Sequence, residues 1–105
     1  MQTEVTDNPA DKRFELRTDG QVAGYAAYRP GDAAVTITHT EVDSAYEGQG
    51  LGLVLVQGAL DQLRERGVAL VPQCPFVRRF LEKHEDYLDL VPAADRDRFG
   101  LPAAG

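Results

Sequence analysis

The chain has 105 residues, 43% of them apolar, with one cysteine, two histidines and a formal net charge of −6. That length holds one compact domain and leaves no room for a second; no apolar run reaches the ~20 residues of a membrane span, and Met1-Gln2-Thr3-Glu4 lacks the basic and apolar stretches of a secretory leader. The charge, with no basic stripe to offset it, excludes general nucleic-acid binding, the single Cys74 excludes an internal disulfide and the scattered histidines give no metal site, so a cytoplasmic protein that draws cationic partners is the expectation.

Residues 1–11 are polar and acidic and read as a flexible stub. Phe14 and Leu16, then Val22, Ala26 and Tyr28, fall in near-alternation with polar residues on either side of Asp19-Gly20, and predict two antiparallel strands joined by a hairpin turn. Arg29-Pro30-Gly31-Asp32 is a second turn, after which the β-branched run Ala33–Val42 predicts a third strand. From Gly50 the period changes. Leu51, Leu55, Val56, Ala59, Leu60 and Leu63 share one side, Asp61, Gln62, Arg64 and Glu65 face out, and Gly67 is a C-terminal cap, which together predict an amphipathic helix. Val68–Val71 is a short apolar strand stopped by Pro72, and the strand, helix, strand order makes it parallel to its predecessor. Pro75 opens a second helix over Phe76–His84, Tyr87–Val91 is a last short strand, and residues 92–105 are a tail. The fold expected is therefore α+β: a mixed sheet, mostly antiparallel with a central parallel strand pair, flanked by two main helices.

The most informative stretch is Glu47-Gly48-Gln49-Gly50-Leu51-Gly52, which runs straight into the first helix. Three glycines in five positions let the main chain turn sharply and approach a ligand closely. The helix behind them points unpaired N–H groups and its positive dipole end at the same place, which suits a pyrophosphate. A plain turn ahead of a helix is the competing reading.

This order of parts resembles the GNAT superfamily of acetyl-CoA-dependent N-acetyltransferases. Its signature is Arg or Gln, two free positions, then Gly-x-Gly or Gly-x-Ala, with a Val about five residues ahead; Val42, Gly50 and Gly52 match it and Glu47 departs from it. His39-Thr40-Glu41-Val42 before the loop and Val71-Pro72-x-Cys74-Pro75-Phe76-Val77 after the fourth predicted strand look like the small single-domain members, over residues 12–91. The resemblance implies acetyl-CoA held by Val42, Gly48, Gln49, Gly50, Leu51 and Gly52, and transfer of its acetyl group to an amine on a protein, a peptide or a small molecule. It further implies that main-chain groups around Glu41, Val42 and Asp43 hold the pantetheine arm, and that an N–H near Val42 assists the thioester carbonyl. Glu41 and His39, two apart on one strand, are the candidates to take the proton of the amine, although each also reads as an ordinary surface or hydrogen-bonded residue.

Cys74 stands where much of the superfamily has Asn, and Leu81 where it has an acid Tyr that Tyr46 or Tyr87 would have to replace. Cys74 is then either a small filler beside the pantetheine or a nucleophile or acid aided by the helix that Pro75 begins. Arg79, beside Arg78, is the candidate cation for a coenzyme phosphate, with Lys83 a solvated residue. A non-catalytic CoA-binding module is the alternative function. So short a chain implies a shallow acceptor site and a monomer or weak homodimer.

Overall fold

The computed structural model describes residues 2–101. Five strands lie in space in their order in the sequence: β1 Thr3–Asn8, β2 Arg13–Thr18, β3 Gln21–Arg29, β4 Ala34–Val42 and β5 Ala69–Pro72. Tight turns make the first three pairings antiparallel. Between β4 and β5 the chain crosses over through helix α1, Leu51–Arg66, so that pairing is parallel, in the register Ala34↔Ala69 to Ile37↔Pro72. This is the mixed sheet the sequence predicts, with the parallel pair at its end rather than its centre, because no strand follows β5 among the described residues.

Helix α2, Pro75–Lys83, and a short α3, Ala93–Arg96, complete the order. The stripe Leu51, Leu55, Val56, Ala59, Leu60 and Leu63 of α1 is buried in one core with Phe14, Leu16, Ala26 and Ile37 of the sheet and Val77, Phe80 and Leu81 of α2. Gly67 ends α1 in the left-handed conformation, and its N–H reaches the carbonyls of Leu63 and Arg64.

The other face of the sheet carries Arg13, Glu15, Arg17, Tyr25, His39 and Glu41, as strand alternation from the buried Phe14, Leu16 and Ala26 requires. Glu15 is nonetheless covered, by ion pairs at 2.8 Å to Arg13 and 3.1 Å to Arg17. Burial pushes its carboxyl up, but hydrogen bonds from Asn8, Arg13 and Arg17 outweigh that and hold it below the usual range.

Three sequence expectations fail, each for a physical reason. Residues 3–8 are not a frayed stub but a full edge strand paired with β2 from Thr3↔Thr18 to Asn8↔Arg13. One apolar residue docks it: Val5 lies so close over Gly58 of α1 that a Cβ at 58 would meet it at 2.6 Å. Gln62 covers the outward Val5 carbonyl at 2.8 Å, and Asp7 pairs with Arg66 at 2.9 Å and accepts from the Tyr28 hydroxyl at 2.6 Å. Residues Glu85–Leu90 form a 3-10 turn instead of a strand, because Tyr87, Leu88 and Leu90 do not alternate but bury together, with the Tyr87 hydroxyl on Asp61 of α1. Residues 92–101 are not a loose tail: Arg96 is buried with its Nε–H on the Val91 carbonyl at 3.0 Å, and Leu101 enters the core. The last part of the expected tail, 102–105, lies outside the described residues.

Candidate functional site

β5 stops where β4 does not. Their last pair is Ile37↔Pro72, and one further link, from the Cys74 N–H to the Ile37 carbonyl at 2.9 Å, closes the contact. Beyond it, Thr38–Val42 keep β3 on one side and have no strand on the other among the described residues, so a gap opens in the plane of the sheet. A bulge adjusts β4 at that point. Ala27 faces His39 and Tyr28 faces Ile37, which leaves Thr38 as the extra residue. The Asp43 N–H donates to the Ala23 carbonyl at 2.7 Å, so alternation turns the main-chain groups of Glu41 and His39 toward β3 and those of Thr40 and Val42 toward the gap. Of the three positions expected to offer main-chain groups there, Val42 does so; Asp43 is bonded to β3, and its carboxylate caps the Ala45 N–H at 2.9 Å.

The glycine loop borders this gap and leads into the first turn of α1. Gly48 and Gly50 have φ of +80° and +71°, a region costly for any side chain, and Gly50 is the N-cap. Gly52 is needed for a different reason: a Cβ there would stand 2.8 Å from the ring of Phe76. Among the described residues no side chain caps α1, and no acidic residue occupies its first turn, so the N–H groups that follow Gly50 stay available to an anion. Glu47 is exposed and makes no ion pair among the described residues. Gln49 is exposed and Leu51 is buried beneath the loop.

His39 and Glu41 share the open face, as expected from their spacing, with Nε2 and Oε2 3.5 Å apart. The structure adds Tyr25. Its hydroxyl donates to Glu41 Oε2 at 2.7 Å, its ring centroid is 6.1 Å from that of His39, and the Arg13 guanidinium lies 4.9 Å above it. The bond from Tyr25, then the one from His39, holds the Glu41 carboxyl below the usual carboxylate range. The same bond pushes the Tyr25 phenol up, so Tyr25 stays a donor. Because the folded value of Glu41 is depressed, the Tyr25–Glu41 bond is made above that value and lost as pH falls through it. Tyr25→Phe is therefore expected to raise the Glu41 carboxyl toward its ordinary 4.5, read by carbon NMR titration; an unmoved midpoint would mean that Tyr25 does not govern it.

Cys74 lies on the opposite side of β4. It is buried at the N-cap of α2, and its S–H donates to Thr40 Oγ1 at 3.4 Å, so the three residues first grouped as catalytic are split across the strand, two above the gap and one below. Neither tyrosine considered as a replacement acid reaches the gap: Tyr46 bonds Gln21 and Tyr87 bonds Asp61. Arg79 is exposed on α2, in a groove of about 340 Å³ with Leu53, Phe76, Phe80, Lys83 and His84.

A family model of the GCN5-related N-acetyl-transferases matches residues 13–90. The chain belongs to that family. Among similar proteins, the [ribosomal protein bS18]-alanine N-acetyltransferase of Escherichia coli is 36% identical over 56 residues, 53% of this chain and 38% of that one. Streptothricin acetyltransferase of Streptomyces lavendulae is 40% identical over 62 residues, 55% of this chain and 33% of that one. The chain thus spans under two fifths of the length of these curated relatives. In solved structures, a GCN5-like protein of Staphylococcus aureus superposes with a TM-score of 0.63 at 25% identity, covering 85% of this chain and 87% of that one. A ribosomal-protein-alanine N-acetyltransferase of Brucella melitensis shares the fold at a TM-score of 0.53 and 23% identity, covering 79% and 66%. Sequence reasoning missed Tyr25, Thr40 and the bulge at Thr38, and the one signal for Tyr25 was its place in the alternation of β3.

Proposed function

We propose that the protein is an acetyl-CoA-dependent N-acetyltransferase that acetylates a primary amine. The observation that carries this reading is the gap beside Thr38–Val42, bordered by an uncapped helix N-terminus and flanked by ionisable side chains on one face. The chain fits the coenzyme: N–H groups from Gly48 to Gly52 suit its pyrophosphate, Val42 with Thr40 its pantetheine arm, and Arg79 a phosphate. Bound there, acetyl-CoA supplies an activated acetyl thioester. The N–H groups of Thr40 and Val42 are the donors for the oxygen on which charge grows. An alkylamine, with a pKa of about 10.4, arrives protonated and must lose that proton. Glu41, held low, is a weak base, so His39 accepts it while Glu41 holds and offsets the charge.

Cys74 serves as a small buried side chain that shapes the gap from below. Its S–H is donated to Thr40, whereas a nucleophilic cysteine needs its thiolate.

Incubation with acetyl-CoA and an amine is expected to release free thiol at a rate set by the amine. Tight CoA binding without release would instead establish the second reading, a CoA-binding module, which is favoured by one observation: Leu81 is wholly buried, and Tyr46 and Tyr87 are bonded to Gln21 and Asp61. Cys74→Ala is expected to keep the rate within about tenfold, since removing a catalytic acid or nucleophile costs ~10²–10⁴; a loss of that larger size would reassign Cys74 to the chemistry.

A further inference from the structure

Where the ends of β3 and β4 meet, a concavity of about 430 Å³ is lined by Val22, Gly24, Tyr25, Glu41, Asp43 and Ser44, among others. Val42 joins it to the gap, since Val42 lines the concavity while its main-chain groups turn to the open edge of β4. None of its lining residues is cationic. The groove on the helix side is the reverse, with Arg79 and Lys83 and no carboxylate. The two hollows therefore carry opposite charge, one suited to an anionic coenzyme and the other to a cation.

Resting on the acetyltransferase reading, we infer that the acceptor is a primary alkylammonium on a flexible aliphatic chain, a lysine side chain or a free diamine, received in this concavity beside Tyr25 and Glu41. Each element of the lining has a part in that choice. The Glu41 carboxylate is fixed by the Tyr25 hydroxyl at 2.7 Å and presents charge to an ammonium group. The Tyr25 ring, held from one side by Arg13, offers an aromatic surface to a cation or its methylenes. Val22, 38% exposed, gives an apolar rim for the stem. Asp43 and Ser44 stand at the far end, about where a second ammonium of a diamine or a neighbouring cationic residue would lie, and Asp43 repels a chain that ends in a carboxylate. The open form of the hollow admits a side chain presented by a larger molecule as readily as a free amine.

The test is a titration of nitrogen-15-labelled protein, saturated with CoA, with 1,4-diaminobutane, with a blocked Gly-Lys-Gly peptide and with 4-aminobutanoate. Amide shifts confined to Gly24, Tyr25, Asp43 and Ser44 are expected with the diamine, the peptide or both, and the tighter of the two identifies the source of the amine. The 4-aminobutanoate is expected to bind markedly more weakly. Asp43→Asn keeps an oxygen for the Ala45 N–H, and is expected to weaken the diamine about two- to fivefold, the size of one exposed charge pair, with CoA affinity unchanged. Equal shifts with all three ligands, or shifts elsewhere on the protein, would overturn the inference. Turnover indifferent to the charge of the amine would overturn it too, while leaving acetyl transfer standing. Shifts in the concavity with no thiol release under any condition would uphold the binding site and reject the enzymatic reading.

Discussion

Gly50→Val is expected to weaken CoA binding at least tenfold and to lower the melting temperature by several degrees. The position has φ +71°, and a Cβ built on it meets nothing within 4 Å, so the penalty is one of main-chain conformation and not of crowding. A β-branched residue held left-handed costs about 1–2 kcal/mol, which for a domain of this size is ~5–10 °C. The chain avoids that cost by letting the turn leave the left-handed region, and the N–H groups of Gly50 and Leu51 then lose their common direction. A tenfold change in affinity needs only about 1.4 kcal/mol. Gly50→Asn is the control, because Asn tolerates the conformation and should lose much less. Calorimetric titration with CoA decides the matter: equal affinity for the valine variant would mean that the diphosphate is not held by this turn.

Gly24→Ala is expected to be the more damaging change, although alanine is the smallest side chain available. Its Cβ would lie 2.6 Å from the Glu41 carbonyl oxygen and 3.1 Å from the Val42 Cα, and both of these are main chain. No rotamer relieves the contact, so β3 must move away from β4. Overpacking of this kind costs about 1–3 kcal/mol, or ~5–20 °C of melting temperature. The displaced segment is the one that carries Glu41 and borders the gap through Val42, so kcat/KM should fall even at temperatures where the variant is fully folded. Melting monitored by circular dichroism, with thiol-release kinetics well below the transition, separates the two effects. A variant that melts with the parent and turns over normally would show that β3 and β4 are not so closely apposed.

What the sequence discloses and what it withholds follow from the range of the interactions. The glycine loop, the apolar stripe of α1, the Gly67 cap and the shared face of His39 and Glu41 are set by neighbours within a few positions, and periodicity and main-chain chemistry reveal them. Tyr25 and Glu41 are sixteen positions apart and meet only through the register of β3 on β4. That register is interrupted at Thr38, and the β2–β3 register skips Ala23, irregularities that leave no mark in composition. Cys74 likewise sits at the head of a helix that the sequence predicts, while its side of β4 depends on where β5 ends. Strand β1 was hidden because an edge strand needs little hydrophobicity: its other residues pair or face water, and Val5 alone fills the notch over Gly58.

That notch ties together two distant parts of the molecule. Sixteen residues of α-helix make a rod of roughly 24 Å, clamped at mid-length by Val5 and toward its end by the bonds from Gln62 and Arg66, with the glycine turn at its tip. Loosening the outermost ribbon of the sheet therefore frees the rod to tilt, and the tip swings with it. Damage inflicted at the rim should be felt as slackened grip on the coenzyme, far from any residue that touches it.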